Sequence, residues 1–274
     1  MIVARLELEE WALASALGRT SPVLKLAVSL GWLMALAFTF DVRPAAVVAV
    51  AALAAGLTVG GVSPRRLALG LAPLWAAAVG IGVFNALFAA SNADPVAAVA
   101  LAFGPVRVTV PALVGGVGLF ARVIAIAAVG VVFGQTTDST RLVDALVQQA
   151  RVSERFAYGA LAAYQATPRL AEQLGTLRQA RRIRGLRGGW HPRLLVGLLV
   201  LAIRHGDRLA LAMDARGFGS GPRSRFREVR WSGLDAAMAA GALIVLAAAM
   251  LAGRGLSGRV VGPEVRPAAR RAGL

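Results

Sequence analysis

The stretch from Val108 to Thr140 reads VTVPALVGGVGLFARVIAIAAVGVVFGQTTDST, and as far as Thr137 its only charged side chain is Arg122. A helix needs about 20 mostly apolar residues to cross the hydrocarbon core of a bilayer, so this run is long enough with margin. It ends at Thr137 and Asp138, residue types that cap a helix N-terminus. The next residues, RLVDALVQQA, put Leu142 and Leu146 on one face at helical spacing. A membrane span that hands over directly to an amphipathic helix predicts an all-α integral membrane protein with a polar helical part outside the bilayer.

Four other runs have the same apolar character: Leu24–Phe40, Pro44–Val62, Leu67–Ala93 and Ala236–Gly253. About five transmembrane helices are therefore expected. The predicted organisation is an N-terminal segment with spans one to four (residues 1–137), a helical domain (138–230), then span five with a C-terminal tail (231–274). The short apolar run Val96–Val106 cannot cross, and is expected in an external loop or re-entering the interface. The opening residues MIVARLELEEWALASALGRT are charged along their length and lack the apolar stretch of a signal peptide. Over the whole chain, 57% hydrophobic residues and a mean hydropathy of +0.67 exceed what an ordinary soluble domain carries.

Arginine placement sets the orientation, because cytoplasmic loops are enriched in basic residues. Arg19 with Lys25, Arg65 with Arg66, and the long basic segment after span four fall on one side if all four spans cross. That side is the cytoplasm, and the loop from Asn92 to Arg107 is external. Five crossings put the basic C-terminal tail outside, against the rule. The alternative is a further crossing near Leu194–Ile203, but only about ten apolar residues lie there between Arg193 and Arg204, so a tail that breaks the rule is preferred. Arg122 within a span is costly there. It is expected either to contact a partner or polar groups inside the bundle, or to lie near a helix end and snorkel. Asn85 and Asp94 pose the same choice, with ordinary packing preferred. Gly80, Gly82 and Gly115 are expected to serve ordinary close packing between membrane helices.

Several chemistries are excluded. The 274 residues contain no cysteine and two histidines, His191 and His205, with no acidic cluster at metal-binding spacing around them. No catalytic residue, metal site or cofactor is predicted. Lys25 is the single lysine, and it stands in TSPVLKLAV rather than in a glycine-rich phosphate loop. A P-loop needs its lysine to reach the nucleotide phosphates, so the chain does not hydrolyse ATP in that manner.

The net charge of +16 is concentrated. Asp138–Arg230 holds 17 arginines against 7 acidic residues, +10 of the total. Within it, Pro168 is predicted to open a helix with a stripe of Leu170, Leu174 and Leu177, ending at IRGLRGG where Gly185, Gly188 and Gly189 stop it. A third helix is predicted from about Pro192 through Leu195, Leu199, Ile203, Leu209 and Met213 to Gly217. Two helices thus end in arginine followed by glycine, at Arg184 and Arg216. A single such ending is explained by the helix dipole, which favours a cation at the C-terminus. The pair says more. Glycine admits a close backbone, and a guanidinium fork finds carbonyls or carboxylates in a groove. Two cytoplasmic tips of this kind suit two sockets.

These residues resemble the transmembrane T component of energy-coupling factor (ECF) transporters, the cobalt and vitamin importers of the ABC class. The resemblance runs from about Ser21 to Arg230, through SPVLKL, LFARVIAIAAVGVVFGQTTDSTRLVDAL, YQATPRLAEQLGTLRQARRIRG and LAMDARGFGSGPRSRF. The family's two short coupling motifs fall on Ile183-Arg184-Gly185 and Ala215-Arg216-Gly217. Ile183 departs from the alanine usual there. The resemblance implies a plasma-membrane coupling subunit of a bacterium or archaeon. Its two motifs dock on two ABC ATPase subunits, and it passes their motion to a membrane S component that binds a vitamin or transition metal. Arg122 is then a candidate for contact with that S component.

Three other readings have less behind them. A conventional ABC importer permease carries one short coupling helix with a Glu-Ala-Ala-type loop, and no such loop is present. A membrane enzyme needs clustered carboxylates or histidines at the membrane face, and Asp207 stands alone. A nucleic-acid binder needs aromatics for stacking, which are scarce in the basic segment.

Overall fold

The computed structural model describes residues 15–39, 41–104, 106–186, 191–221 and 227–257. The opening residues, Gly188 and Gly189, Pro222–Phe226 and most of the basic tail, about which the sequence raised expectations, lie outside the described residues. The helices are α1 (Ala16–Arg19), α2 (Pro22–Ala37), α3 (Val42–Thr58), α4 (Pro64–Phe88), α5 (Val110–Thr136), α6 (Ser139–Gln148), α7 (Glu154–Ile183), α8 (Pro192–Ala215) and α9 (Gly233–Ser257). The chain divides into two compact units. One is Met1–Asp138 with Trp231–Leu274, and the other is Ser139–Arg230.

In the first unit, α2, α3, α4, α5 and α9 correspond to the five apolar runs. Three segments, Pro64–Ala93, Val110–Thr136 and Gly233–Gly253, are long and apolar enough to cross a membrane. The other two, α2 and α3, have 16 and 17 residues. At about 1.5 Å per residue that is some 25 Å, a little short of a hydrocarbon core of about 30 Å. The sequence run continued to Phe40, but the helix stops at Ala37, and Asp41 stands at the N-cap position of the next helix four residues later.

Packing in this unit rests on small side chains. The buried face of α3 carries Ala45, Val48, Ala49, Ala52 and Gly56 at three- and four-residue spacing. A Cβ on Gly56 would meet Val132 of α5 at 2.9 Å. On α4 and α5, Gly82 and Gly116 bring backbones together: a Cβ on Gly116 would lie 2.6 Å from the Gly82 carbonyl oxygen. Without a hydrophobic drive between helices in lipid, this close approach is what holds them. Gly82 thus packs as expected. Gly80 does not, since a Cβ there would meet nothing within 4 Å.

Between α4 and α5 the chain forms an antiparallel hairpin, β1 (Val99–Phe103) with β2 (Val106–Thr109). This is a departure from all-helical structure. VRVT is rich in β-branched residues, VALAF contributes Val99 and Phe103, and Gly104 at φ +56 allows the turn. Asn92 fastens its base. Its amide donates to the carbonyls of Ala86 (2.8 Å) and Leu87 (3.0 Å), and its oxygen accepts from the Thr109 N–H (2.8 Å). Asp94 accepts from the Val96 N–H (3.0 Å), a local turn contact.

In the second unit Pro168 lies inside α7 rather than at its start. The helix opens at Glu154 after Ser153, with the acidic side chain in the first turn where the dipole favours it. Pro168 removes one donor from the ladder but the helix continues on both sides. The Ala-rich run from Ala157 to Ala166 gave too weak an apolar stripe to mark the true start. The helices α7 and α8 form an antiparallel hairpin. Leu177 meets Gly197, and Tyr158 meets Phe218 at the other end. Between them lies an apolar cavity of about 330 Å³ lined by Gly159, Ala163, Ala166, Ala202, His205 and Gly206.

Candidate functional site

Arg184 and Arg216 occupy the same structural position at the ends of α7 and α8. Each is the C-cap residue, with φ/ψ of −75/9 at Arg184 and −90/8 at Arg216. The glycine after each is left-handed: φ is +73 at Gly185 and +66 at Gly217. At the first tip the Gly185 N–H donates to the Arg182 carbonyl (3.1 Å) and the Leu186 N–H to the Arg181 carbonyl (3.1 Å). At the second, the Gly217 N–H donates to the Asp214 carbonyl (2.9 Å) and the Phe218 N–H to the Met213 carbonyl (3.0 Å). Both sets are the Schellman pattern that satisfies the last carbonyls of a helix, and both require a residue tolerant of positive φ after the cap. Glycine therefore has a backbone reason to follow each arginine. Both arginines are exposed.

The tips lie at opposite ends of the hairpin. Arg216 ends α8 level with the start of α7, whereas Arg184 ends α7 itself. At 1.5 Å per residue, the 26 residues from Tyr158 to Arg184 place the tips roughly 40 Å apart along the α7 axis. They do not form one site.

Their surroundings also differ. Ile183 is 86% exposed beside Arg184, and Leu186 is exposed too. The second tip is braced. Phe218 packs edge-on against Tyr158, with ring centroids 6.4 Å apart. Tyr158 donates its hydroxyl to the buried Asp144 of α6 (2.8 Å). Arg155 donates to the Gly219 carbonyl (3.2 Å), and its guanidinium would have to shift to admit a Cβ at Gly219, whose φ of +78 disfavours one. Gln148 clasps the segment leading out of the unit. It accepts from the Val229 N–H (2.9 Å) and donates to the Arg227 carbonyl (2.8 Å). The sequence reading missed all of these bracing residues. The only available signal was the repeated glycine in ARGFGSG, which marks Gly219 (φ +78) as a second constrained turn position.

Arg122 is in the middle of α5. Its guanidinium donates to the carbonyl of Ala37, the last residue of α2 (2.5 Å). Asn85 sits against Gly115, 3.6 Å from where a Cβ would be. His191 caps α8, accepting from the Arg193 N–H (3.2 Å), and His205 lines the hairpin cavity. No group of three or more His, Asp or Glu residues that could hold a metal ion occurs among the described residues.

Three helices of the first unit are long and apolar enough to span a membrane, and the helical unit Ser139–Arg230 carries two like arginine caps. The sequence profile of the CbiQ family, described as cobalt transport protein, matches residues 14–227. The chain belongs to this family, which comprises the transmembrane components of ECF transporters. Proteins of the family work in transporter complexes with ATPases. No curated protein matches the chain.

Proposed function

We propose that this chain is the coupling subunit of an ECF transporter. In this reading Ile183-Arg184-Gly185 docks on one ABC ATPase subunit and Ala215-Arg216-Gly217 on the other. ATP-driven approach of the ATPases draws on the two ends of the α7–α8 hairpin, and the movement reaches a membrane S component that binds a transition metal or vitamin. Residues 138–230 form the cytoplasmic coupling domain. The observation that carries the reading is the shared cap pattern at Arg184 and Arg216, each followed by a left-handed glycine. Two like plugs at opposite ends of one hairpin fit two like sockets, and a single coupling loop would need only one.

The chemistry of each tip supports it. A rigid helix end presents the guanidinium from a fixed backbone, and its planar fork matches paired acceptors. The glycine beside it lets the partner's backbone come close. On α8, Leu195, Val196, Leu199 and Ile203 form an exposed apolar stripe at helical spacing, which suits burial against the S component.

The test is retention of the ATPases by three variants. Losing an interfacial charge contact costs roughly 2–5 kcal/mol. A complex held at two points keeps the second site at high local concentration after one loss. Arg184→Ala and Arg216→Ala singly should each retain much of the ATPase on purification, with the smaller effect at Arg184. The double variant should lose it. A double variant that holds its ATPases as firmly as the parent would remove the docking assignment.

A further inference from the structure

Helix α2 touches the two membrane helices that continue into the Ser139–Arg230 unit, and it does so through directed polar contacts at both of its ends. The chain leaves the membrane unit just after α5, at Asp138, and returns at Trp231, just before α9. Those two covalent links are a route by which movement of that unit reaches the bundle. The helices α5 and α9 scarcely touch each other; α3 packs broadly against both through small apolar side chains, and α2 packs against both over a smaller area but with polar side chains.

The contacts are specific. Lys25, in the first turns of α2, is 3% exposed and donates from Nζ to the carbonyl of Thr136 (2.7 Å), the last residue of α5. At the other end of α2, the Ala37 carbonyl receives Arg122 of α5. Two antiparallel helices thus each place a cation on the C-terminal carbonyls of the other, where the helix dipole is negative. Toward α9, the Ser21 N–H donates to Oδ1 of Asp235 (2.6 Å), which is also 3% exposed. Oδ2 of Asp235 accepts from the Ser232 N–H (2.8 Å) at the returning link. Farther along, the Trp32 indole N–H donates to the Ala242 carbonyl (3.2 Å). A buried lysine and a buried aspartate are costly unless hydrogen bonds to fixed groups replace their lost hydration, and these contacts do so.

We propose that α2 is a strut that locks α5 to α9, so that the two links into the coupling unit move as one body, with Lys25 and Asp235 as its positioning residues. The strut rests on the coupling function proposed above. Its contacts with both links keep motion of the hairpin from being absorbed by independent slippage of the two helices. Apolar packing of α2 would hold the bundle together, but it would not fix the axial register of its neighbours. Charge-assisted bonds to named carbonyls and N–H groups do.

The experiment uses the absence of cysteine. Spin labels at Ser139→Cys and Trp231→Cys report the distance distribution between the two links in the purified chain in lipid nanodiscs. The parent should give one narrow distribution. Lys25→Met and Asp235→Asn should broaden it, while Lys25→Arg, which keeps a donor, should stay narrow. In the assembled transporter, cobalt(II) taken up per ATP hydrolysed should fall at least about tenfold in Lys25→Met, the effect of losing a charged hydrogen bond, with ATPase retention unchanged. Lys25→Arg should recover most of it. Trp32→Phe keeps the ring and removes one neutral donor, so it serves if Lys25→Met does not reach the membrane, with a loss of about twofold expected. Narrow distributions in Lys25→Met, Asp235→Asn and Trp32→Phe would overturn the strut. So would an uptake-to-ATP ratio equal to the parent's. A parent chain that retains no ATPase would instead refute the coupling function, and the distance distributions of the isolated chain would still decide the strut.

Discussion

An arginine at a helix C-terminus can serve the helix, a partner, or both, and lysine separates these uses. Arg216 as a C-cap residue suits the dipole, a contribution of about 0.3–1 kcal/mol at an exposed site that lysine would match. The fork geometry is the part that lysine lacks. Arg216→Lys should therefore leave the protein's melting temperature and membrane level unchanged while cobalt(II) uptake falls well below the parent, and Arg216→Ala should lower it further. Uptake at the parental level in both variants would mean that Arg216 only caps its helix. The braced side of the second tip makes this the sharper place to look. Tyr158 packs on Phe218 and Arg155 donates to the Gly219 carbonyl, which hold the turn that follows Arg216. Ile183, exposed where alanine is usual in the family, leads to the smaller effect expected at Arg184.

At the scale of elements, packing of α4 on α5 depends on Gly82 and Gly116, and one pair of substitutions isolates that dependence. Gly116→Ala puts a Cβ 2.6 Å from the Gly82 carbonyl oxygen, so the helices must part. Overpacking of this kind costs roughly 1–3 kcal/mol. Gly80→Ala, on the same helix as Gly82 but with nothing within 4 Å, should be neutral or slightly stabilising because alanine is the better helix former. Thermal unfolding in detergent should show a lower midpoint for Gly116→Ala alone, and equal midpoints would remove this contact as a determinant. The contrast also marks what the sequence could say. It supplied the apolar runs, since uninterrupted hydropathy over twenty residues has few other meanings. It supplied the ends of α7 and α8, since Arg-Gly after a leucine stripe is a stop signal. It could not tell Gly80 from Gly82, because which face meets a neighbour depends on helix rotation. It misplaced the start of α7 because Pro168 carries a strong local signal for a first turn, and neighbouring turns overrode it. The hairpin at Val99–Thr109 was hidden for a related reason. A short apolar run has no length to separate strand from buried helix, and only Gly104 hinted at a turn.

For the whole molecule, the two units must lie on defined sides of the membrane for any coupling to occur, and the charge pattern commits to one arrangement. By the preference of short loops for basic residues, the side carrying Arg19, Arg65 and Arg66 should be cytoplasmic, and residues 138–230, which follow the fourth span, should share it. The hairpin before α5 should then lie outside. Because the chain has no cysteine, single cysteines report without background. Val96, 90% exposed just before the hairpin, and Thr167, exposed on α7, are suitable positions. In intact cells a membrane-impermeant maleimide should label Val96→Cys and spare Thr167→Cys. After permeabilisation both should react. The same reagent on a cysteine placed in the C-terminal tail tests the number of crossings, since an odd number puts the tail outside despite its arginines. Labelling of Thr167→Cys from outside would invert the molecule and place both arginine tips where no cytoplasmic ATPase could reach them. The coupling function would then fail as a whole, whatever the chemistry of the tips.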